Sequence, residues 1–323
     1  MGKVLEVKDL VTTFSIDKKD YPVIRGVSFD VGENETLCMV GESGCGKSVT
    51  TLSVMDLLPN NGKITGGTIT LDGEELTAMD GKARRALRGK KMGMIFQEPM
   101  TALNPLLTIG FQLTEGIRLH MGKSKEEAWN LAVEYLDKVG ISNPRERMKQ
   151  FPFQLSGGLR QRVMIAMVLC VQPNLLIADE PTTALDVTIQ KQVLVLLNKL
   201  KSEMKAGILF ITHDLGVVAE IADRVIILYS GRKVEEGTVH DVFNNPLHPY
   251  TTGLMGCVPD VEADSFELKA IPGTFPAITE DIGGCRFHPR CEFAFDLCQK
   301  EVPKEIEVEP GHFVACHKME VSK

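Results

Sequence analysis

Residues 41–48 read G-E-S-G-C-G-K-S, a filled G-x-x-x-x-G-K-[S/T] pattern. The apolar run Thr36-Leu37-Cys38-Met39-Val40 precedes it and reads as a buried strand. Residues 48–58 follow and read as a helix. Strand, glycine-rich turn and helix at this spacing commit the region to an α/β unit built to hold an anion. Glycine lets the backbone wrap closely around phosphate oxygens. Backbone N–H groups and the helix N-terminus then turn positive potential toward them. Gly41, Glu42, Ser43, Gly44, Cys45, Gly46, Lys47, Ser48 and Val49 are therefore the candidate nucleotide contacts. Lys47 is placed to reach the β- and γ-phosphates, and the Ser48 hydroxyl to hold Mg²⁺.

The rest of the chain reads as a frame for that loop. Short β-prone runs stand at residues 4–7, 27–31, 68–71 and 92–96. Further apolar strands are expected at 175–178, 208–211 and 225–228. Helical spacing dominates residues 99–170, broken at Pro105, Pro144 and Pro152. Strands alternating with helices predict a largely parallel sheet covered on both faces. The segment 99–170 becomes a helical insertion between two strands. From about residue 245 the chain is richer in Pro, Gly and Cys. Two domains are expected, 1–244 around the phosphate loop and a small irregular unit at 245–323.

The net charge of −7 gives no footprint for nucleic acid, and no such partner is expected. No run of about 18 apolar residues exists, so the chain itself is not expected to span a bilayer. The first residues lack the apolar core of a secretory signal, so the chain is expected to stay on the cytosolic side.

A second group of motifs completes a hydrolytic reading. Residues 175–180 form an apolar strand ending in Asp179 and Glu180. A carboxylate at a strand's end can hold the Mg²⁺ that Ser48 touches, which suits Asp179. Glu180 would face the γ-phosphate and polarise the attacking water. Residues 155–158 read L-S-G-G before a long apolar helix, with Ser156 a good N-cap. L-S-G-G after a phosphate loop and before a strand ending in D-E resembles the ATP-binding cassette ATPases. Gln97 in F-Q-E-P, Asp186 in A-L-D and His213 in I-T-H-D are similar to further elements of that family, in the same order. The resemblance covers about residues 4–240.

It implies a P-loop NTPase core with a mixed sheet, a helical subdomain and ATP hydrolysis with Mg²⁺. It further implies that Gln97 senses Mg²⁺ and the attacking water and couples the site to a membrane partner. His213 would contact the γ-phosphate, and Asp186 would lie at a dimer interface. Ser156 and Gly158 would cover ATP bound on a second cassette. An aromatic near the N-terminus is expected to stack on adenine, with Phe14 first and Tyr21 as the alternative. The sequence departs from the pattern at Leu159, where many members carry Gln, and Gln161 lies two positions on.

Four of the eight cysteines, Cys285, Cys291, Cys298 and Cys316, crowd into the last 39 residues. In a reducing compartment such a group points to a metal rather than to disulfides. Zinc sites usually contain a closely spaced cysteine pair, which is missing here. Four thiolates at varied spacing suit an iron–sulfur cluster. His288, His312 and His317 are near enough in sequence to serve a zinc site instead. The segments N-P-L-H-P-Y-T, from Asn245, and C-R-F-H-P-R-C, from Cys285, resemble the C-terminal extension of oligopeptide and dipeptide importer cassettes. That branch implies a [4Fe–4S] cluster on these cysteines and a peripheral position on the cytoplasmic face of the membrane. It also implies a second cassette, more often a related partner than a copy, two permease subunits and a solute-binding protein. Nickel or oligosaccharide import, or a soluble cassette ATPase outside transport, are the alternatives.

Overall fold

The continuous apolar runs do become buried parallel strands, as expected for strands covered on both faces. The computed structural model describes residues 2–98, 102–182, 187–257 and 271–321. It contains two compact units, each assembled from distant parts of the chain.

The first unit comprises Met1–Leu5, Val31–Glu35 and Leu71–Phe210. Strand Met92–Ile95 runs parallel to strand Leu175–Asp179, with Ile95 opposite Ala178. The helical insertion connects these two neighbours. Its helices Ile109–Met121, Lys125–Lys138 and Gly157–Leu169 pack on one another, and the last also packs on Met92–Ile95. The reason for helix is local. Ser124 and Glu127 form a reciprocal capping box at the start of Lys125–Lys138. That helix turns Ala128, Ala132, Tyr135 and Leu136 inward at helical spacing. Leu155, Val163, Met164 and Ile165 complete the buried side of the signature region.

The second unit comprises Glu6–Asp30, Thr36–Thr70 and Ile211–Lys323. Strand Thr36–Val40 is parallel to Arg224–Tyr229, with Leu37 opposite Arg224 and Val40 opposite Ile227. Arg224–Tyr229 then pairs antiparallel with Arg232–Thr238. That strand in turn pairs with His312–Val314, whose other neighbour is Ile306–Glu309. The sheet is thus mixed. A second sheet sets Lys19–Gly32, Lys3–Ile16 and Gly62–Leu71 side by side. Asp17 and Lys18 join the first two as a tight hairpin, both at positive φ.

The division expected near residue 245 coincides with no boundary of either unit. The physical reason is backbone pairing: the last strands hydrogen-bond onto Arg232–Thr238. Glu235, only 1% exposed, ties the same region together. Its carboxylate accepts from the N–H of Leu247 at 2.9 Å and of His248 at 2.8 Å, and lies 2.8 Å from His312 Nε2.

Candidate active site

The phosphate-loop motif joins strand Thr36–Val40 to helix Lys47–Val54, which is shorter than the span to residue 58 read from sequence. Gly46 sits at the helix N-cap with φ 112°, a conformation open to glycine. A Cβ there would lie 2.6 Å from the Ile24 side chain. A Cβ on Gly41 would lie 2.7 Å from Cys45 Sγ. The loop therefore requires glycine at both ends. Lys47 is buried, and its ammonium donates to the carbonyl of Gly41 at 2.7 Å and of Glu42 at 3.2 Å. The cation is thereby held against the loop it serves. Ser43, Gly44 and Ser48 are exposed, Val49 is half-buried, and burial pushes the Cys45 thiol up.

Two groups of the second unit, Tyr250 and Arg290, hold this loop, with Tyr229 packed behind them, and the sequence patterns assign a role to none of the three. Tyr250, within the N-P-L-H-P-Y-T segment, accepts the Glu42 N–H at 2.9 Å through its phenolic oxygen. Arg290, within C-R-F-H-P-R-C, forms a fork to the Glu42 carboxylate at 2.7 and 3.1 Å. Tyr229 packs its ring centroid 4.7 Å from that of Tyr250 and 5.1 Å from those of Phe275 and Phe287. The only signal in the sequence was membership of Tyr250 and Arg290 in two quoted segments.

His213 follows strand Gly207–Ile211 and is exposed in the second unit. The next residue, Asp214, caps helix Leu215–Ile221 by accepting from Gly216 and Val217 N–H. Phe14 is half-buried, with its ring against Gly62 of the neighbouring strand. Tyr21 is also half-buried, on Lys19–Gly32.

The first unit brings two expected catalytic residues together. Gln97 Nε2 donates to Glu180 Oε2 at 3.0 Å. Parallel register explains the meeting, since each lies two residues past the Ile95–Ala178 pair. Glu180 has φ 46°, an unfavourable left-handed conformation for a non-glycine residue. Asp179, the last residue of its strand, is buried. Ser156 caps helix Gly157–Leu169, its Oγ accepting from Leu159 N–H at 3.4 Å. Ser156 is exposed and Gly158 half-buried. The departure at Leu159 leaves the cap intact. Gln161, nearly fully buried, instead donates to the Pro181 carbonyl at 2.6 Å, fixing the turn after Glu180. Asp186 lies outside the described residues.

Cys285, Cys291, Cys298 and Cys316 line one small cavity of about 20 Å³. Yet among the described residues no group of three or more His, Cys, Asp or Glu side chains is arranged to hold a metal ion. The structure therefore lends no support to the expected [4Fe–4S] site. Burial pushes the Cys285 thiol up to about 11 and raises those of Cys291 and Cys316. Of the histidines weighed for zinc, His288 and His317 line this cavity. His312 is wholly buried against Glu235 and does not line this cavity. His317 has both ring nitrogens engaged, Nδ1 with Glu320 and Nε2 with the Glu301 carbonyl, each at 2.9 Å. His288 lines the cavity, with its Nδ1 2.9 Å from the Cys285 carbonyl.

Residues 24–183 match the ABC transporter family, and residues 234–298 match the oligopeptide/dipeptide transporter C-terminal region. The chain is 49% identical over 317 residues to the oligopeptide transport ATP-binding protein AppD of Bacillus subtilis, covering 98% of this chain and 97% of AppD. It is 47% identical over 315 residues to the oligopeptide transport ATP-binding protein OppD of Salmonella typhimurium, covering 98% and 93%. Among solved structures, the ATP-binding cassette MJ0796, in a dimeric post-hydrolysis state bound to ADP and Pi, is similar with a TM-score of 0.66. That match has 28% identity and covers 73% of this chain and 98% of the cassette. With its loop geometry and its full-length similarity, the chain belongs to the ABC transporter family, in the oligopeptide/dipeptide branch of its ATP-binding subunits.

Proposed function

We propose that this chain is the ATP-hydrolysing motor of an importer that carries di- and oligopeptides. The observation that carries the reading is similarity over nearly the whole chain, extension included, to proteins named for peptide import. Cargo passes through two separate permease subunits after delivery by a solute-binding protein outside the membrane. Among the described residues no helix is long and apolar enough to cross a membrane. The chain therefore needs a docking face. Leu106, Phe111 and Phe153 in the helical segment expose 82%, 51% and 66% of their surface, and suit a position against permeases at the cytoplasmic side. In this reading residues 1–244 are the cassette, with a helical subdomain at about 99–170, and 245–323 are an added segment.

Each site residue has a stated task. Lys47 and the N–H groups of residues 41–49 bind the phosphates, and Phe14 stacks on the base. Ser48, Asp179 and Gln97 would hold Mg²⁺, which would supply charge neutralisation at the phosphates. Glu180 orients the attacking water and takes its proton, held ready by the Gln97 amide. His213 stabilises charge on the γ-phosphate. Ser156 and Gly158 complete the site on another cassette, with Asp186 between the two, and a related partner rather than a copy is the favoured second subunit. Closure over ATP and reopening after hydrolysis drive the permeases.

Reconstitution with the permeases and binding protein tests this reading. Peptides should stimulate ATP hydrolysis and accumulate inside vesicles. ATP hydrolysis stimulated by nickel or an oligosaccharide, and not by any peptide, overturns the cargo assignment. The four thiols would hold a [4Fe–4S] cluster, a reading that rests on their convergence and on the family resemblance. Iron and labile sulfide in brown, anaerobically purified protein support it, whereas stoichiometric zinc in a colourless protein overturns it.

A further inference from the structure

The Glu42 carboxylate sits at the second position of a loop whose purpose is to gather anions. An unpaired negative charge there opposes a polyphosphate. Arg290 removes that opposition. Its side chain is 5% exposed, and its guanidinium takes both oxygens of Glu42 in a fork. Two further contacts aim the guanidinium, Nε to the Pro272 carbonyl at 2.9 Å and Nη1 to Tyr229 Oη at 3.4 Å. Such a bidentate charged pair fixes geometry as well as charge. The backbone of Glu42 is engaged at the same time. Its N–H donates to Tyr250 and its carbonyl accepts from Lys47. The fork therefore also steadies one of the two carbonyls against which Lys47 rests.

We propose that Arg290 is a positioning residue for nucleotide binding: it neutralises Glu42 and presets the phosphate loop, so that a residue 248 positions away sets the affinity for MgATP. The inference rests on the reading of residues 41–48 as the nucleotide site. Arg290 touches no phosphate; it acts through Glu42. Its loss raises the dissociation constant and leaves the chemical step largely alone. A purely structural arginine behaves differently, because removing the charge of Glu42 would not compensate for its loss.

The test uses the full chain and MgATP, with binding measured by calorimetry and turnover by phosphate release. Arg290→Met, which keeps much of the side-chain volume, should weaken MgATP about tenfold and change kcat less than about threefold, the scale expected of a residue that acts on a ligand through another residue. The double variant Glu42→Gln with Arg290→Met should recover most of that loss. Arg290→Lys, with the charge but without the fork, should fall between. Wild-type affinity in Arg290→Met overturns the proposal, as does a double variant no better than the single one. Should Arg290→Met fail to fold, Arg290→Lys carries the test, and wild-type affinity there overturns the proposal. Wild-type protein that binds no ATP refutes the nucleotide site itself, a separate outcome.

Discussion

Gln97 and Glu180 meet through one hydrogen bond, amide to carboxylate, at 3.0 Å. The two residues come from parallel strands, each two positions beyond the last registered pair. The strand ends therefore deliver both side chains to one place. The left-handed backbone at Glu180 is a local cost that this placement accepts.

Replacing Glu180 with Gln removes the base while keeping a partner for Gln97. ATP binding should survive, and hydrolysis should fall by about 10²–10⁴, the usual share of a general base. Single-turnover hydrolysis with prebound ATP measures this directly. Turnover at the wild-type rate would sink the assignment of Glu180.

Gln97→Ala should act more mildly. The carboxylate of Glu180 remains but is no longer oriented by the amide. Two of the proposed Mg²⁺ ligands, Ser48 and Asp179, remain, so we expect a loss of about tenfold in kcat with little change in ATP affinity. Parallel measurement of kcat and Kd separates this from a loss of Mg²⁺ binding, which would weaken both.

Glu235 is the structural keystone of the second unit. Glu235→Ala leaves the N–H groups of Leu247 and His248 and the ring of His312 without their shared acceptor. Buried and unsatisfied groups predict a loss of about 3 kcal/mol or more. Urea denaturation of wild type and variant reads it. A change below experimental error would refute the role.

His248 supplies a pH dependence with a definite sign. Burial lowers its pKa from 6.5 to about 4, and its Nδ1 accepts the Tyr250 N–H at 3.0 Å. Between these values the unfolded chain binds the proton and the folded one does not. Stability therefore falls as pH drops from 6.5 toward 4, by about 3 kcal/mol for this group alone. His248→Gln should flatten the stability profile across that window. A variant with the wild-type slope would assign the dependence elsewhere.

The parts of the fold written in continuous local patterns were legible. Strand Thr36–Val40 has the bounds read from its apolar run, and helix Lys125–Lys138 carries its cap in sequence. Ser156, Gln97 and Glu180 were legible as motif positions. The long hairpin of Lys3–Ile16 and Lys19–Gly32 was seen only in fragments. Its turn is Asp17-Lys18, without the glycine that usually marks such a reversal. The forks and caps that hold the phosphate loop were illegible for another reason. Arg290 and Glu42 lie far apart in sequence, and nothing in the periodicity near either one names the other. The same holds for Glu235, an acid inside a strand whose burial depends on partners arriving later in the chain.

The pairing of His312–Val314 with Arg232–Thr238 has a consequence for how this chain can be cut. Ending it after residue 244 strips the outer neighbour from Arg232–Thr238 and leaves a row of open N–H and C=O groups. Such an edge recruits other chains. With the segment present, the strand at this edge among the described residues is instead Ile306–Glu309, four residues long, with Glu307 and Glu309 exposed. A short acidic strand repels its like. The terminal segment thus also guards this edge against pairing, strand to strand, with the chain's own copies.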